Sequence, residues 1–118
     1  MLRNDLYHIL SKETCEGGWQ YRVALHPESA IYAAHFKGMP VTPGACLVQM
    51  ACELASDATA VPLDVAEASE IRFLKPILPE ECTELNVELA QDETDAARWA
   101  IRMLDGETQC AWMKLTLA

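Results

Sequence analysis

Positive charge is scarce in this 118-residue chain: nine Lys and Arg face 18 Asp and Glu, a formal net charge of −9. Nucleic-acid binding depends on clustered Lys and Arg, so that class of function is excluded as an expectation. No apolar run approaches the ~20 residues that span a bilayer, and the first residues lack the apolar core of a secretory signal. The expectation is a soluble, cytoplasmic protein without membrane insertion. Cysteine is present (Cys15, Cys46, Cys52, Cys82 and Cys110) but odd in number, with no C-x-x-C and no repeated spacing. That pattern excludes a zinc ribbon or disulfide framework and leaves free thiols in a reducing compartment. His8, His26 and His35 lack metal-ligand spacing with these cysteines, so no metal is expected. Walker, dinucleotide and G-x-S-x-G motifs are also missing, and no cofactor is expected.

What remains is enough apolar sequence for one core. The hydrophobic content is 51%, and a chain of this length is about one domain, read as residues 1–118. Trp19, Tyr21, Val23 and Leu25 alternate with Gln20, Arg22 and Ala24, the period of a half-buried strand. A weaker strand precedes it over Tyr7 to Thr14. Further strands are predicted over Val65–Leu74, around Leu85–Leu89, over Arg98–Met103 and over Gln109–Leu117. Asp105-Gly106 is a type I′ hairpin signal between the last two. One helix stands among them, with Thr42 as its cap, Pro43 at its first position and an end near Asp57. Cys46 and Cys52 serve it as small core residues. Two strands, a long helix and four strands make an α+β domain whose antiparallel sheet wraps the helix.

The chemistry concentrates between His35 and Glu53. His35 carries an imidazole, whose unperturbed pKa lies near neutrality, in a predicted loop of Gly38, Pro40, Pro43 and Gly44, which leaves room for a ligand. A bare Gly44 at the helix start exposes N–H groups able to polarise a carbonyl or stabilise an oxyanion. Gln49 and Glu53 follow one turn apart, ~6 Å along the axis. With Ser56 and Asp57 they read either as a solvent stripe or as a buried polar pair. In the second case the Glu53 carboxyl is expected to have a raised pKa.

The run His35-Phe36-x-Gly38-x-Pro40-Val41-x-Pro43-Gly44 resembles the signature of the β-hydroxyacyl-acyl-carrier-protein dehydratases, the FabZ/FabA type of hotdog-fold enzyme. Arg72-Phe73-Leu74-Lys75-Pro76-Ile77 resembles that family's strand ending in a basic-Pro turn, and the order of elements matches over essentially the whole chain. The resemblance implies a hotdog fold, dimerising by joining sheets edge to edge, with each active site between subunits. His35 would take the α-proton of a 3-hydroxyacyl thioester, and the Gly44 N–H would hold its carbonyl. Phe36, Gly38 and Pro43 would line the substrate site, and a helix carboxylate would help expel the hydroxyl as water. The product would be the trans-2-enoyl thioester of fatty-acid or polyene-type biosynthesis. Lys37, Arg72 and Lys75 would form a basic rim for an acyl carrier protein, unless the substrate is a coenzyme A thioester.

The chain departs from that family in two places. Gln49 stands where the family has its carboxylate and Glu53 where many members have Gln; Lys37 replaces a usual proline. Three readings follow. Glu53 supplies the proton while Gln49 orients substrate; or the chain is a catalytically impaired acyl-thioester-binding subunit beside a paralogous one in a heteromer; or the scaffold is an acyl thioesterase. The assembly implied is a homodimer or higher, or, in the second reading, a heteromer with the paralogous subunit.

Overall fold

The computed structural model describes residues 1–34 and 40–118. Six strands form one antiparallel sheet: β1 (Tyr7–Cys15), β2 (Gly18–Leu25), β3 (Val65–Phe73), β4 (Glu84–Gln91), β5 (Arg98–Asp105) and β6 (Thr108–Leu117). Their spatial order is β1-β2-β4-β5-β6-β3. Two helices lie between β2 and β3, the short α1 (Ala30–Ala34) and the long α2 (Gly44–Thr59).

The period-2 residues build the inner face. Tyr21 and Val23 of β2, Leu85 and Val87 of β4, Ile101 and Met103 of β5 and Met113 of β6 are fully buried. Against them α2 lays Leu47, Met50, Ala51, Leu54 and Ala55, all buried. The spacing 47, 50, 51, 54 follows the helical repeat, so a single apolar stripe meets the concave sheet. Trp19 and Trp99 stack with centroids 5.6 Å apart, closing one end of that core. All five cysteines are free; Cys52 is buried and Cys46 partly so. Among the described residues no helix is long and apolar enough to cross a membrane.

Three local expectations are corrected. Thr42 does not cap α2; the helix begins at Gly44, its N-cap is Pro43, and no side chain caps it. Thr42 instead gives both its N–H (2.9 Å) and its hydroxyl (3.0 Å) to the Ile77 carbonyl. The hairpin between β5 and β6 pairs Asp105 with Thr108, so its central residues are Gly106 and Glu107. Only Gly106 has positive φ, +61°, which fits a type II′ turn rather than I′. The third is α1, which is absent from the predicted elements: at five residues it is too short to show a helical period.

β3 forms one edge of the sheet, and its residues are almost all exposed on both faces. Val65, Ile71 and Phe73 stand out on it as exposed large apolar side chains, and Leu74 follows directly.

Candidate active site

Two openings flank α2. The first is an apolar groove of about 360 Å³ at its N-terminus, with Pro43, Gly44, Leu47, Phe73, Lys75 and Ile77 among its walls. Its two sides are the segment leading into α2 and the segment leaving β3. Buried hydrogen bonds tie them together: Ile77 accepts twice from Thr42, and the Thr42 hydroxyl accepts from Tyr32 of α1 at 2.9 Å. Because the Thr42 proton is committed to Ile77, Tyr32 must be the donor. Burial pushes the Tyr32 phenol above its ordinary range, which keeps that proton in place. The Leu74 and Lys75 N–H groups bond the Cys110 carbonyl, anchoring the far wall to β6.

Gly44 is the narrowest point. A Cβ built there would lie 2.6 Å from Cζ and 2.7 Å from Cε2 of Phe73, so the tip of the aromatic ring rests directly on the glycine. Sequence reasoning included Phe73 in a motif but did not place it at the site; no local pattern brings the end of β3 onto the start of α2. The uncapped first turn of α2 thus opens beside an apolar channel. Its N–H groups carry the positive end of the helix dipole, where a thioester carbonyl or enolate oxygen would find donors.

The second opening, about 450 Å³, lies farther along α2 and includes Arg3, Gln49, Glu53, Ser56, Asp57 and Leu63 in its lining. Here the polar pair is settled as a network. Glu53 is 7% exposed, and its carboxylate takes four donors. The Leu2 N–H (2.8 Å) and Gln49 amide (3.0 Å) bond Oε2; the Arg3 N–H (2.9 Å) and Tyr7 hydroxyl (2.9 Å) bond Oε1. Burial alone pushes the carboxyl pKa up, but these four hydrogen bonds outweigh it and hold the group below its ordinary value. The expected upward shift of Glu53 is therefore corrected: a buried carboxylate with every acceptor position filled stays ionised. The same bond pushes Tyr7, itself fully buried, far above the usual phenol range, with desolvation as the larger cause.

Asp57, one turn on, is no plain solvent residue either. It accepts from the Tyr21 hydroxyl (2.6 Å) and pairs with Arg3 (3.0 Å) and Lys12 (3.5 Å). The Tyr21 hydrogen bond is the main cause that holds its pKa down. Glu53 and Asp57 together pin residues 1–7 along the helix. Sequence reading missed this strap because the partners are about fifty positions apart.

The predicted site residues are thus partly assembled. Pro43, Gly44 and Lys75 share the groove. Arg72 is not among its lining residues; its guanidinium is paired with Glu70 at 2.7 Å. Gln49 and Glu53 sit together in the other opening, with Gln49 exposed. His35, Phe36, Lys37 and Gly38 lie outside the described residues. Among the described residues no cluster of three or more His, Cys, Asp or Glu is arranged to hold a metal.

Comparison with solved structures identifies the architecture. The dehydratase heterocomplex ApeI:P from Xenorhabdus doucetiae superposes with a TM-score of 0.79 at 17% identity, covering 93% of this chain and 96% of that one. Thioesterase HI1161 from Haemophilus influenzae gives 0.66 at 15% identity, covering 96% and 78%. The dehydratase domain of the CurK module of curacin polyketide synthase gives 0.64 at 16% identity, covering 96% and 43%. These likenesses establish the α+β hotdog fold expected from the sequence. A search of curated proteins finds no match. The model of the ApeI-like family, described as ApeI dehydratase, matches residues 11–113, and the chain belongs to that family of hotdog dehydratases.

Proposed function

We propose that this chain is one subunit of a 3-hydroxyacyl-thioester dehydratase, supplying the base and the carbonyl-binding N–H while a paralogous partner supplies the acid. Elimination removes a proton from Cα and hydroxide from Cβ, leaving a trans double bond and, once the hydroxide is protonated, water. His35 is the proposed base. The Gly44 N–H takes the negative charge that develops on the thioester oxygen, and the groove beneath Phe73 takes the acyl chain.

The observation that carries the two-chain reading is the saturation of Glu53. Its carboxylate is ionised, bonded four times and low in pKa, so it has no proton to give. Gln49 has none either. An acid must therefore come from elsewhere, and the helix of a second chain joined at the sheet edge is the proposed source. The exposed apolar residues of edge strand β3 support such a junction, as does the heteromeric state named for the ApeI:P structure. Lys75 at the groove, with Lys37, is proposed to meet the acidic carrier or the phosphates of coenzyme A. The setting is cytoplasmic acyl-chain biosynthesis.

The test is complementation. A paralogous hotdog subunit from the same organism, carrying a helix carboxylate but with its own loop histidine changed to alanine, is mixed with this chain and a 3-hydroxyacyl thioester. Enoyl thioester should form in the mixture, not in either component, and should vanish with His35→Ala. Turnover by this chain alone at the mixture's rate contradicts the division of labour. Release of free thiol without enoyl product assigns the thioesterase reading instead.

A further inference from the structure

Thr42 is fastened to the Ile77 carbonyl at two points, by its N–H at 2.9 Å and by its hydroxyl at 3.0 Å. A single hydrogen bond would let the segment pivot about the bond axis; the second donor removes that freedom. The Tyr32 hydroxyl donates to the same Thr42 oxygen at 2.9 Å, so that oxygen has a lone pair engaged while its proton is committed to Ile77. Tyr32 and Thr42 are each 4% exposed and Ile77 is 2% exposed, so water does not compete for these bonds. The backbone bond alone suffices to join the two groove walls, and a valine would fill the place of Thr42 without a polar atom. A buried hydroxyl met by a buried phenol at that point calls for a further role.

The hold on Thr42 is carried on to Gly44. Only Pro43 stands between them, and its ring fixes φ, here −61°. The residue before a proline is itself confined to extended backbone, so Thr42 has little torsional slack either. The Pro43 carbonyl then accepts the first helical bonds, from the Cys46 N–H (3.0 Å) and the Leu47 N–H (3.2 Å), and no side chain caps the turn. A stiff link thus joins the anchored Thr42 to the uncapped Gly44 N–H. We infer that Tyr32 and Thr42 are positioning residues that aim the Gly44 N–H at the thioester oxygen, an inference that rests on the acyl-thioester reading above. Neither side chain touches the reacting atoms. Their effect belongs to the transition state, where charge grows on that oxygen and the angle of the donor matters most. Binding of the acyl chain along the apolar groove changes little.

The experiment is steady-state kinetics of the complementing mixture of this chain and its paralogous partner, with urea unfolding of each variant of this chain. The Tyr32→Phe/Thr42→Val double variant removes both hydroxyls together. No buried side-chain group is left unpaired, the backbone bond to Ile77 stays, and the urea midpoint should lie close to wild type. Losing a donor to the developing oxyanion outright costs about 10²–10³ in kcat; loosening one should cost about tenfold, with KM changed less than about twofold. Thr42→Ser keeps the hydroxyl and both of its bonds, and should restore kcat to within about twofold of wild type. Should the double variant fail to fold, Tyr32→Phe alone decides: it leaves Thr42 on Ile77 but frees the hydroxyl to turn, and kcat should fall about threefold at unchanged KM, an unchanged kcat overturning the inference. A folded double variant with wild-type kcat, or one whose loss lies in KM alone, overturns the positioning role. So does a Thr42→Ser variant as impaired as the double one. A wild-type mixture that forms no enoyl thioester overturns the reading beneath as well, and is told apart because every other outcome requires a wild type that turns over.

Discussion

Replacing Glu53 by alanine should destabilise the fold far more than a surface substitution does, and the size of the loss follows from its four partners. The Tyr7 hydroxyl is the costliest. Its residue is fully buried, so water cannot replace the lost acceptor, and an unsatisfied buried donor costs about 1–3 kcal/mol. The Leu2 and Arg3 N–H groups are half-buried; water takes over part of each bond, leaving about 1 kcal/mol apiece. The Gln49 amide is exposed and contributes almost nothing. Together these give about 3–5 kcal/mol, a large share of the 5–15 kcal/mol typical of a domain. Urea unfolding at fixed protomer concentration reads the loss, since any assembly makes stability concentration-dependent. A double-mutant cycle with Tyr7→Phe isolates the buried bond and should return a coupling of about 1–2 kcal/mol. Were Glu53 part of a solvent stripe, the single variant would lie within about 0.5 kcal/mol of wild type. A loss below about 1 kcal/mol, or additivity in the cycle, refutes the saturated-carboxylate argument.

The strap should detach in acid. Glu53 and Asp57 have folded pKa values below their unfolded ones, so their stabilisation is complete above the ordinary carboxylate range and is lost as pH falls through the lower folded values; amide exchange at residues 2–7 should rise there before exchange in β4 and β5. Gly44→Ala should displace the Phe73 ring, which lies 2.6 Å from the added Cβ, and weaken thioester binding about tenfold or more with little change in urea midpoint, because the ring is 54% exposed and free to move. Ala60 closes α2 at φ +57°, where glycine is the unstrained residue; Ala60→Gly should leave stability unchanged or raise it by up to about 1 kcal/mol, read from the same urea curves.

Much of the fold was legible because its period is local. Trp19 to Leu25, Leu85 to Leu89 and Trp99 to Met103 alternate strictly, and each proved to be a strand with the alternating residues facing α2. The helix was visible from its apolar stripe, whereas its cap was misplaced: Thr42 looked like a local cap, yet two acceptor contacts at Ile77 captured it from thirty-five positions away. The same cause explains the site. Pro43 and Gly44 are neighbours in sequence and were found together. Phe73 over Gly44, and the N-terminal strap over Glu53, depend on tertiary approach that no spacing rule encodes. Glu53 was the instructive error. A lone buried carboxylate is expected to hold its proton, and only the identity of its donors, two of them backbone N–H groups near the chain start, reverses the sign.

The most direct test of the claim that this chain lacks its own acid is to place one at position 49. In Gln49→Glu the new carboxyl would lie about one hydrogen bond from Glu53, whose three remaining donors keep it ionised, so the single shared proton should reside on residue 49 as an acid of raised pKa. Enoyl thioester formation from a 3-hydroxyacyl thioester is then measured with the purified chain alone. Wild type should turn over at or near background, and Gln49→Glu should gain at least tenfold, in line with the lower range for general acid catalysis, with the gain lost on adding His35→Ala. Full turnover by wild type alone that disappears in a folded Glu53→Gln variant would contradict the account and return the acid to Glu53.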